Sequence, residues 1–231
     1  INQDNRIFCL NTKDGSKIWD IRSVSSFIKT QSLLSIAISK NDGLFVLNSY
    51  GDLMKIQPET GKVFWSTNTT STMFAHDTDF FESSSLLISD TSIIFSTSTT
   101  TFSYNLDNGY LDWDINVGSS NLPIIDKDNI FIITDNGYLI NLHKDSGEII
   151  FSKNILKILK EKKRNTKIKG FVLASNKIYA VSLNGYIIVS SAQTGKPEYF
   201  KKIGDQVSAA PIISDGSLFI LTDNSKLLGF N

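Results

Sequence analysis

The residues whose types and spacing could do chemistry lie in one short stretch, Ala75-His76-Asp77-Thr78-Asp79. An imidazole and two carboxylates within four residues are side chains that bind metal ions. A metal shell usually needs further ligands from elsewhere in the fold, however, and no pattern in the chain supplies them. We therefore predict that this stretch is not a metal site.

Motifs of common catalytic sites are missing from the sequence. It has no Gly-x-Ser-x-Gly elbow, no P-loop and no His-Glu-x-x-His. The single cysteine, Cys9, cannot form an intramolecular disulfide or a zinc site of several thiolates. We predict that the protein is not an enzyme and binds no cofactor. Its zero net charge gives no indication of a nucleic-acid partner.

An internal repeat is the main signal in the chain. A turn followed by an apolar residue and an aromatic occurs five times. The glycines of these turns are 46, 48, 38 and 48 residues apart. The five copies are Asp14-Gly15 to Trp19, Thr60-Gly61 to Trp65, Asn108-Gly109 to Trp113, Ser146-Gly147 to Phe151 and Thr194-Gly195 to Tyr199.

The stretch 121–152 shows the layout of one repeat most clearly. Two continuously apolar strands are followed by the hairpin signal Asp135-Asn136-Gly137, an alternating third strand, and a fourth strand that ends in the aromatic. Continuous apolar strands are typical of a sheet covered on both faces, and alternation is typical of one nearer the surface. This layout predicts an all-β protein, a β-propeller of four-stranded antiparallel blades.

We expect one propeller domain over residues 1–231. Its predicted blades are 1–22 (partial), 33–66, 85–116, 121–152, 168–202 and 208–231 (partial). The two ends supply five strands, one too many for a single blade. We therefore expect N-terminal blades to be missing from this chain, which would be the C-terminal part of a larger ring. A ring closed as it stands is the alternative.

The repeat resembles that of the PQQ-like, quinoprotein-type propellers, and within them it is most similar to the BamB family of outer-membrane assembly lipoproteins. The resemblance covers essentially the whole chain. It is carried by Thr60-Gly61-Lys62 with Trp65, by Gly185-Tyr186-Ile187-Ile188 and by Ala210-Pro211-Ile212-Ile213. Quinoprotein dehydrogenases share the repeat, but that family has a pair of adjacent cysteines near the quinone, which one cysteine cannot provide.

The resemblance implies an eight-bladed ring on the periplasmic face of the outer membrane of a Gram-negative bacterium. It also implies a scaffold role, with a β-barrel assembly protein as partner and membrane association through a lipid anchor outside this chain. A propeller that acts as a sensor or adhesion module for peptides or glycans is the alternative.

The five repeated aromatics are predicted to pack between blades, so we look for function where the repeat is broken. The connection 66–84 carries the candidate contact residues Phe74, Asp77, Asp79 and Phe80. The connection 23–30 adds Phe27, Ile28 and Lys29, and the resemblance places both loops where the family contacts its barrel partner. The alternative for the phenylalanines is that they serve the core.

The segment 153–169 contains eight basic residues and one acid. Its apolar residues follow helical spacing, so we expect a short amphipathic helix followed by a basic loop. Lys157, Lys160, Lys163 and Arg164 form a candidate contact patch for an acidic partner or lipid headgroups. The alternative is a solvated loop that caps one blade edge.

Overall fold

A computed structural model describes residues 1–2, 4–22, 35–39, 43–70 and 82–231. These residues form β-strands and short 3₁₀ helices, with no α-helix among them. No helix in this part of the chain is long and apolar enough to cross a membrane. The contacts divide the chain into two compact units, which are residues 1–98 with 102–114, and residues 99–101 with 115–231.

The first unit contains a two-stranded sheet and two four-stranded sheets, each with its strands in chain order. The strands are β1 (Arg6–Leu10), β2 (Lys17–Arg22), β3 (Ser35–Ser39), β4 (Gly43–Leu47), β5 (Asp52–Ile56), β6 (Val63–Asn68), β7 (Leu87–Ile88), β8 (Ser92–Ser96), β9 (Thr101–Asn105) and β10 (Leu111–Ile115).

The second unit contains two four-stranded sheets and a three-stranded sheet, again in chain order. The strands are β11 (Ile124–Asp126), β12 (Asn129–Ile133), β13 (Tyr138–His143), β14 (Ile149–Asn154), β15 (Ile168–Ala174), β16 (Lys177–Ser182), β17 (Tyr186–Ser191), β18 (Pro197–Lys202), β19 (Ile212–Ser214), β20 (Ser217–Leu221) and β21 (Leu227–Phe230). The 3₁₀ helices Ile155–Ile158 and Glu161–Lys163 lie between β14 and β15.

The hydrophobic core of each unit consists of layers between neighbouring sheets. In the first unit, one layer contains Phe45 and Leu47 from β4 together with Phe95 and Tyr104 from the next sheet. The rings of Phe95 and Tyr104 are nearly parallel, with centroids 5.9 Å apart. In the second unit, residues of β12 and β13 pack in the same way against β16 and β17. Within each unit, neighbouring sheets are therefore held together by these layers.

Burial differs from the sequence prediction in one respect. The first strand of each sheet was expected to be covered on both faces, yet β3 alternates between buried and exposed residues and β11 is only partly buried. The second and third strands are the most buried, as in β8 and β9. The physical reason is that a middle strand has a neighbour on each side, whereas the first strand has one free edge.

The repeated aromatic of one sheet packs against the turn glycine of the next. A Cβ atom on Gly61 would lie 2.8 Å from the Trp19 ring, and one on Gly109 would lie 2.5 Å from the Trp65 ring. The Trp19 indole also donates a hydrogen bond of 2.8 Å to the Pro58 carbonyl. The turn glycine is therefore needed because the ring of the preceding repeat occupies the space of a side chain.

The second unit repeats this arrangement once and departs from it once. The Phe151 ring lies against Gly195 as the tryptophans lie against their glycines. Tyr199 was expected to be buried in the same way, but it is 57% exposed. The prediction of an inter-blade ring is therefore wrong for Tyr199, because none of the described residues covers its outer side.

The Gly109→Ala variant should lose about 3 kcal/mol of unfolding free energy. About 1 kcal/mol comes from placing a Cβ at a φ of +71°, and the rest from displacing the Trp65 ring. The matched control is Gly15→Ala. Gly15 has a φ of +72° but no heavy atom within 4 Å of the added Cβ, so the loss should be about 1 kcal/mol. Urea unfolding measures both, and equal losses would contradict the role assigned to the ring.

Candidate functional site

The candidate contact residues in the first two connections lie outside the described residues. They are Phe27, Ile28, Lys29, Phe74, Asp77, Asp79 and Phe80, and their role stays a prediction. The chain leaves the outer strands β2 and β6 at Arg22 and Asn68, and the next sheets begin with β3 and β7. Both connections therefore join an outer strand to the first strand of the following sheet.

The described end residues of the 66–84 connection are anchored to the sheets. Thr69 is buried, and its backbone N–H donates to the Gly51 carbonyl at 2.7 Å. At the other end, the N–H of buried Ser84 donates to the Ser96 carbonyl at 2.7 Å. Both ends of this candidate surface are thus held in fixed positions by the backbone.

The basic segment is attached to the second unit through its apolar residues. Ile155, Leu156 and Leu159 are at most 4% exposed and belong to the core layer between the sheets that begin with β11 and β15. The Ile155 N–H donates to the Gly137 carbonyl at 2.9 Å. The predicted short helix is present, but as two short 3₁₀ helices and not as an α-helix.

Arg164 fixes the path of the loop. Its Nε donates to the Leu159 carbonyl at 2.9 Å, and a terminal nitrogen donates to the Lys157 carbonyl at 3.1 Å. The Leu159 carbonyl follows the end of the first 3₁₀ helix, and the Lys157 carbonyl lies within its last turn. Carbonyl groups at the end of a helix have no hydrogen-bond donor within the helix. Two of the hydrogen-bond donors of Arg164, a predicted contact residue, therefore already bind backbone carbonyls of the same segment.

The other predicted patch residues, Lys157, Lys160 and Lys163, are all exposed. Of these, the Lys163 ammonium lies 5.9 Å from the centroid of the Tyr186 ring. The Lys202 ammonium lies 4.8 Å from the same centroid. Lys163 is therefore brought together with Lys202, a strand residue nearly 40 positions further along the chain.

A polar cavity of about 310 Å³ lies at this point. It is lined by Lys162, Lys163, Asn184, Tyr186, Lys202, Gly204 and Gln206. Tyr186 is 3% exposed, and no described residue forms a hydrogen bond with its hydroxyl group. We refer to these seven residues as the lysine pocket.

Both sides of the lysine pocket are hydrogen-bonded to one hairpin turn. On the side of the basic loop, the Leu183 N–H donates to the Lys167 carbonyl at 2.8 Å. On the other side, the Ile203 N–H donates to the Gly185 carbonyl at 2.9 Å, and the Val207 N–H donates to the Leu183 carbonyl at 3.0 Å. The backbone on both sides of the pocket is therefore held in place by hydrogen bonds.

The charges around the pocket leave it without a counterion among the described residues. Asp205 lies between two pocket residues, but its carboxylate is 3.3 Å from the Lys226 ammonium. A hydrogen bond from Asn224 and the charge-assisted bond from Lys226 hold the pKa of Asp205 below its usual range. The nearby Lys167 pairs with Asp135 at 3.8 Å. No described acid forms an ion pair with Lys162, Lys163 or Lys202.

Sequence reasoning found Lys163 but missed Tyr186, Lys202 and Gln206. The register of β17 with β18 places Lys202 opposite Tyr186, and no local pattern reports that pairing. The doublet Lys201-Lys202 at the end of an outer strand was a sequence feature that could have indicated this pocket.

The described residues contain no group of three or more His, Cys, Asp or Glu side chains that could hold a metal ion. The stretch 75–79 lies outside them. The prediction for that stretch therefore stays a prediction.

Comparison with known proteins gives a family and a fold. The family model described as outer membrane protein assembly factor BamB matches residues 1–153. No curated protein matches the sequence. BamB from Moraxella catarrhalis superposes with a TM-score of 0.68 at 15% identity, covering 94% of this chain and 65% of that protein. The chain thus spans less than two thirds of that relative.

Two further solved structures are similar to the chain. Sqt1 of Saccharomyces cerevisiae has a TM-score of 0.72 at 14% identity, covering all of this chain and 66% of Sqt1. The computationally designed protein Ika4 has a TM-score of 0.53 at 12% identity, covering 68% of this chain and 93% of Ika4. Together with the antiparallel sheets, these likenesses confirm the predicted all-β propeller fold.

Replacing Arg164 by Ala should loosen the basic loop. The variant loses two charge-assisted hydrogen bonds to backbone carbonyls, so local opening of the loop should become easier by about 2 kcal/mol. Hydrogen exchange of the amides of Leu159 and Arg164 measures this opening, because both donate within the 3₁₀ turns. The control is Lys160→Ala, which removes an exposed charge and should leave both exchange rates unchanged. Equal acceleration in the two variants would contradict the anchoring role of Arg164.

Proposed function

The chain belongs to the PQQ-like propeller family of the outer membrane protein assembly factor BamB, and from this membership we propose that it is a non-enzymatic scaffold. It supports the assembly of β-barrel proteins in the outer membrane through protein–protein contacts. It works at the periplasmic face of the outer membrane of a Gram-negative bacterium. The observation that carries the proposal is the family match over residues 1–153.

The organisation of the first unit supports a scaffold role. Its repeated aromatics and turn glycines are committed to holding neighbouring sheets together. Such residues cannot change without loss of stability, whereas connections between sheets tolerate a change of sequence. The partner surface is therefore proposed to lie on the connections 23–30 and 66–84. Phe27, Ile28, Phe74 and Phe80 provide apolar anchors there, and Lys29, Asp77 and Asp79 provide charged contacts.

A second candidate function is favoured by an aromatic depression in the second unit. The exposed ring of Tyr199 lines a cavity of about 410 Å³ together with Tyr179 and Phe230. The ammonium of Lys201 lies 4.8 Å from the Phe230 ring centroid at the same cavity. Exposed aromatic rings beside a polar group suit the alternative of a sensor or adhesion module for peptides or glycans.

The scaffold proposal predicts that the chain co-purifies with an outer-membrane barrel assembly protein. The triple variant Phe27→Ala, Ile28→Ala, Asp79→Ala should bind at least about tenfold more weakly, because truncated anchor residues in interfaces typically have effects of this size or larger. Affinity capture from detergent-solubilised outer membranes identifies the partner. Titration of the purified partner then gives the dissociation constant.

A matched control uses the same residue types at exposed positions on strand β2, strand β6 and the turn before β8. It is the triple variant Ile18→Ala, Phe64→Ala, Asp90→Ala, and it should bind as the unmodified chain does. Undiminished binding by the first variant would contradict the assignment of the surface. Absence of any barrel partner, with binding of a glycan or peptide that is lost in Tyr199→Ala, would instead support the second function.

A further inference from the structure

We propose that the lysine pocket is a binding site for a phosphate group. The inference does not depend on the scaffold role, since it rests on the geometry of the second unit alone. The ligand chemistry is a phosphate carried either by a soluble phosphomonoester or by a phospholipid headgroup.

The charge of the pocket is the first argument. Lys162, Lys163 and Lys202 all line one cavity, and no described acid forms an ion pair with them. Asp205, the acid nearest in sequence, is paired with Lys226. An uncompensated cluster of this kind attracts anions, and a phosphate with nearly two negative charges at pH 7 compensates it better than a single carboxylate does.

The phenol of Tyr186 is the second and independent argument. Tyr186 is 3% exposed and lines the cavity, and its hydroxyl has no hydrogen-bond partner among the described residues. The hydroxyl is not among the buried side-chain atoms that lack a partner, so it remains accessible and can donate a hydrogen bond to an occupant of the cavity. The phosphate oxygens accept such a hydrogen bond, and the side-chain amide of Gln206 is a further donor among the lining residues. The Asn184 amide donates one hydrogen to the Asn165 carbonyl at 3.4 Å and has a second to donate.

The fixed shape of the pocket is the third argument. The loop 203–207 and the basic loop are both hydrogen-bonded to the turn at Leu183–Gly185. The carbonyl of Asp205 approaches Gly185 so closely that no side chain fits between them. The two lysine-bearing walls are therefore held in place before a ligand arrives, which reduces the entropy lost on binding.

Three lysines around one cavity suit a phosphate better than the carboxylate of an acidic peptide. Each ammonium is a point charge that can donate to a different oxygen, and a phosphate has more acceptor oxygens, in a tetrahedral arrangement, than a planar carboxylate has. Arg164 is the nearest arginine in sequence, and its guanidinium is occupied by backbone carbonyls.

The test is a titration of the purified chain with inorganic phosphate, followed by amide resonances in nuclear magnetic resonance spectra. We expect saturable shifts at residues 162–163, 184–186 and 202–206. The affinity should rise between about pH 5.5 and pH 7.5 as phosphate loses its second proton, whose pKa is near 6 to 7. Lys163→Gln and Lys202→Gln should each weaken binding roughly fivefold or more, the effect of losing one charge-assisted contact.

Two variants separate a specific site from general attraction. Lys169→Gln removes the same charge from the same basic segment but lies outside the pocket, and it should change the affinity less than twofold. Tyr186→Phe keeps the ring and removes only the hydroxyl, so the fold should be retained while phosphate binding weakens. Equal weakening in Lys169→Gln and Lys163→Gln would overturn the proposal, because binding would then depend only on net charge.

Further arms identify the source of the phosphate. A lipid headgroup would be assigned if the chain binds phosphatidylglycerol vesicles but not phosphatidylcholine vesicles. This binding should require Lys163 and Lys202, and inorganic phosphate should compete with it. Binding of inorganic phosphate and glycerol 3-phosphate without vesicle binding would assign a soluble ligand. A hexaglutamate peptide that occupies the pocket while phosphate produces no saturable shift would overturn the proposal in favour of an acidic protein segment.

Discussion

The contact between an aromatic ring and the turn glycine of the following repeat is the interaction on which the rest of the structure depends. Trp19 on Gly61, Trp65 on Gly109 and Phe151 on Gly195 join sheets whose strand-to-strand backbone hydrogen bonds stay within each sheet. A sheet of four short strands has two apolar faces, so it is stable only when neighbours cover them. The ring and the glycine fix the distance and register at which this covering takes place, and the core layers follow from that register.

Much of this arrangement is predictable from the sequence because the turn, the glycine and the aromatic are local and repeat at nearly constant spacing. The hairpins at Asn136-Gly137 and Asn184-Gly185 are predictable for the same reason. The burial of the strands was harder to predict from the sequence, because hydrophobicity describes a side chain and does not show whether its strand has a free edge. Tyr199 shows the same limit, because its residue type fits the repeat while its surroundings do not.

The candidate sites follow a similar division. The basic segment is conspicuous in the sequence because eight basic residues lie within residues 153–169, and its path depends on buried Ile155 and Leu156. The lysine pocket was not predictable, because Tyr186 and Lys202 meet Lys163 only through strand pairing and through a loop fastened to another turn. Charge clusters that form in this way have no sequence pattern of their own, and the same holds for the ion pair that neutralises Asp205.

The span of the contacts between sheets has a consequence for biosynthesis. Trp19 reaches Pro58 across 39 residues, Thr67 reaches Gly109 across 42, and Lys55 reaches the Leu106 carbonyl across 51. Each of these bonds needs only the next repeat to have been synthesised. A sheet can therefore be covered by its neighbour while later sheets are still being synthesised, and its apolar face is exposed only for the time taken to add some fifty residues.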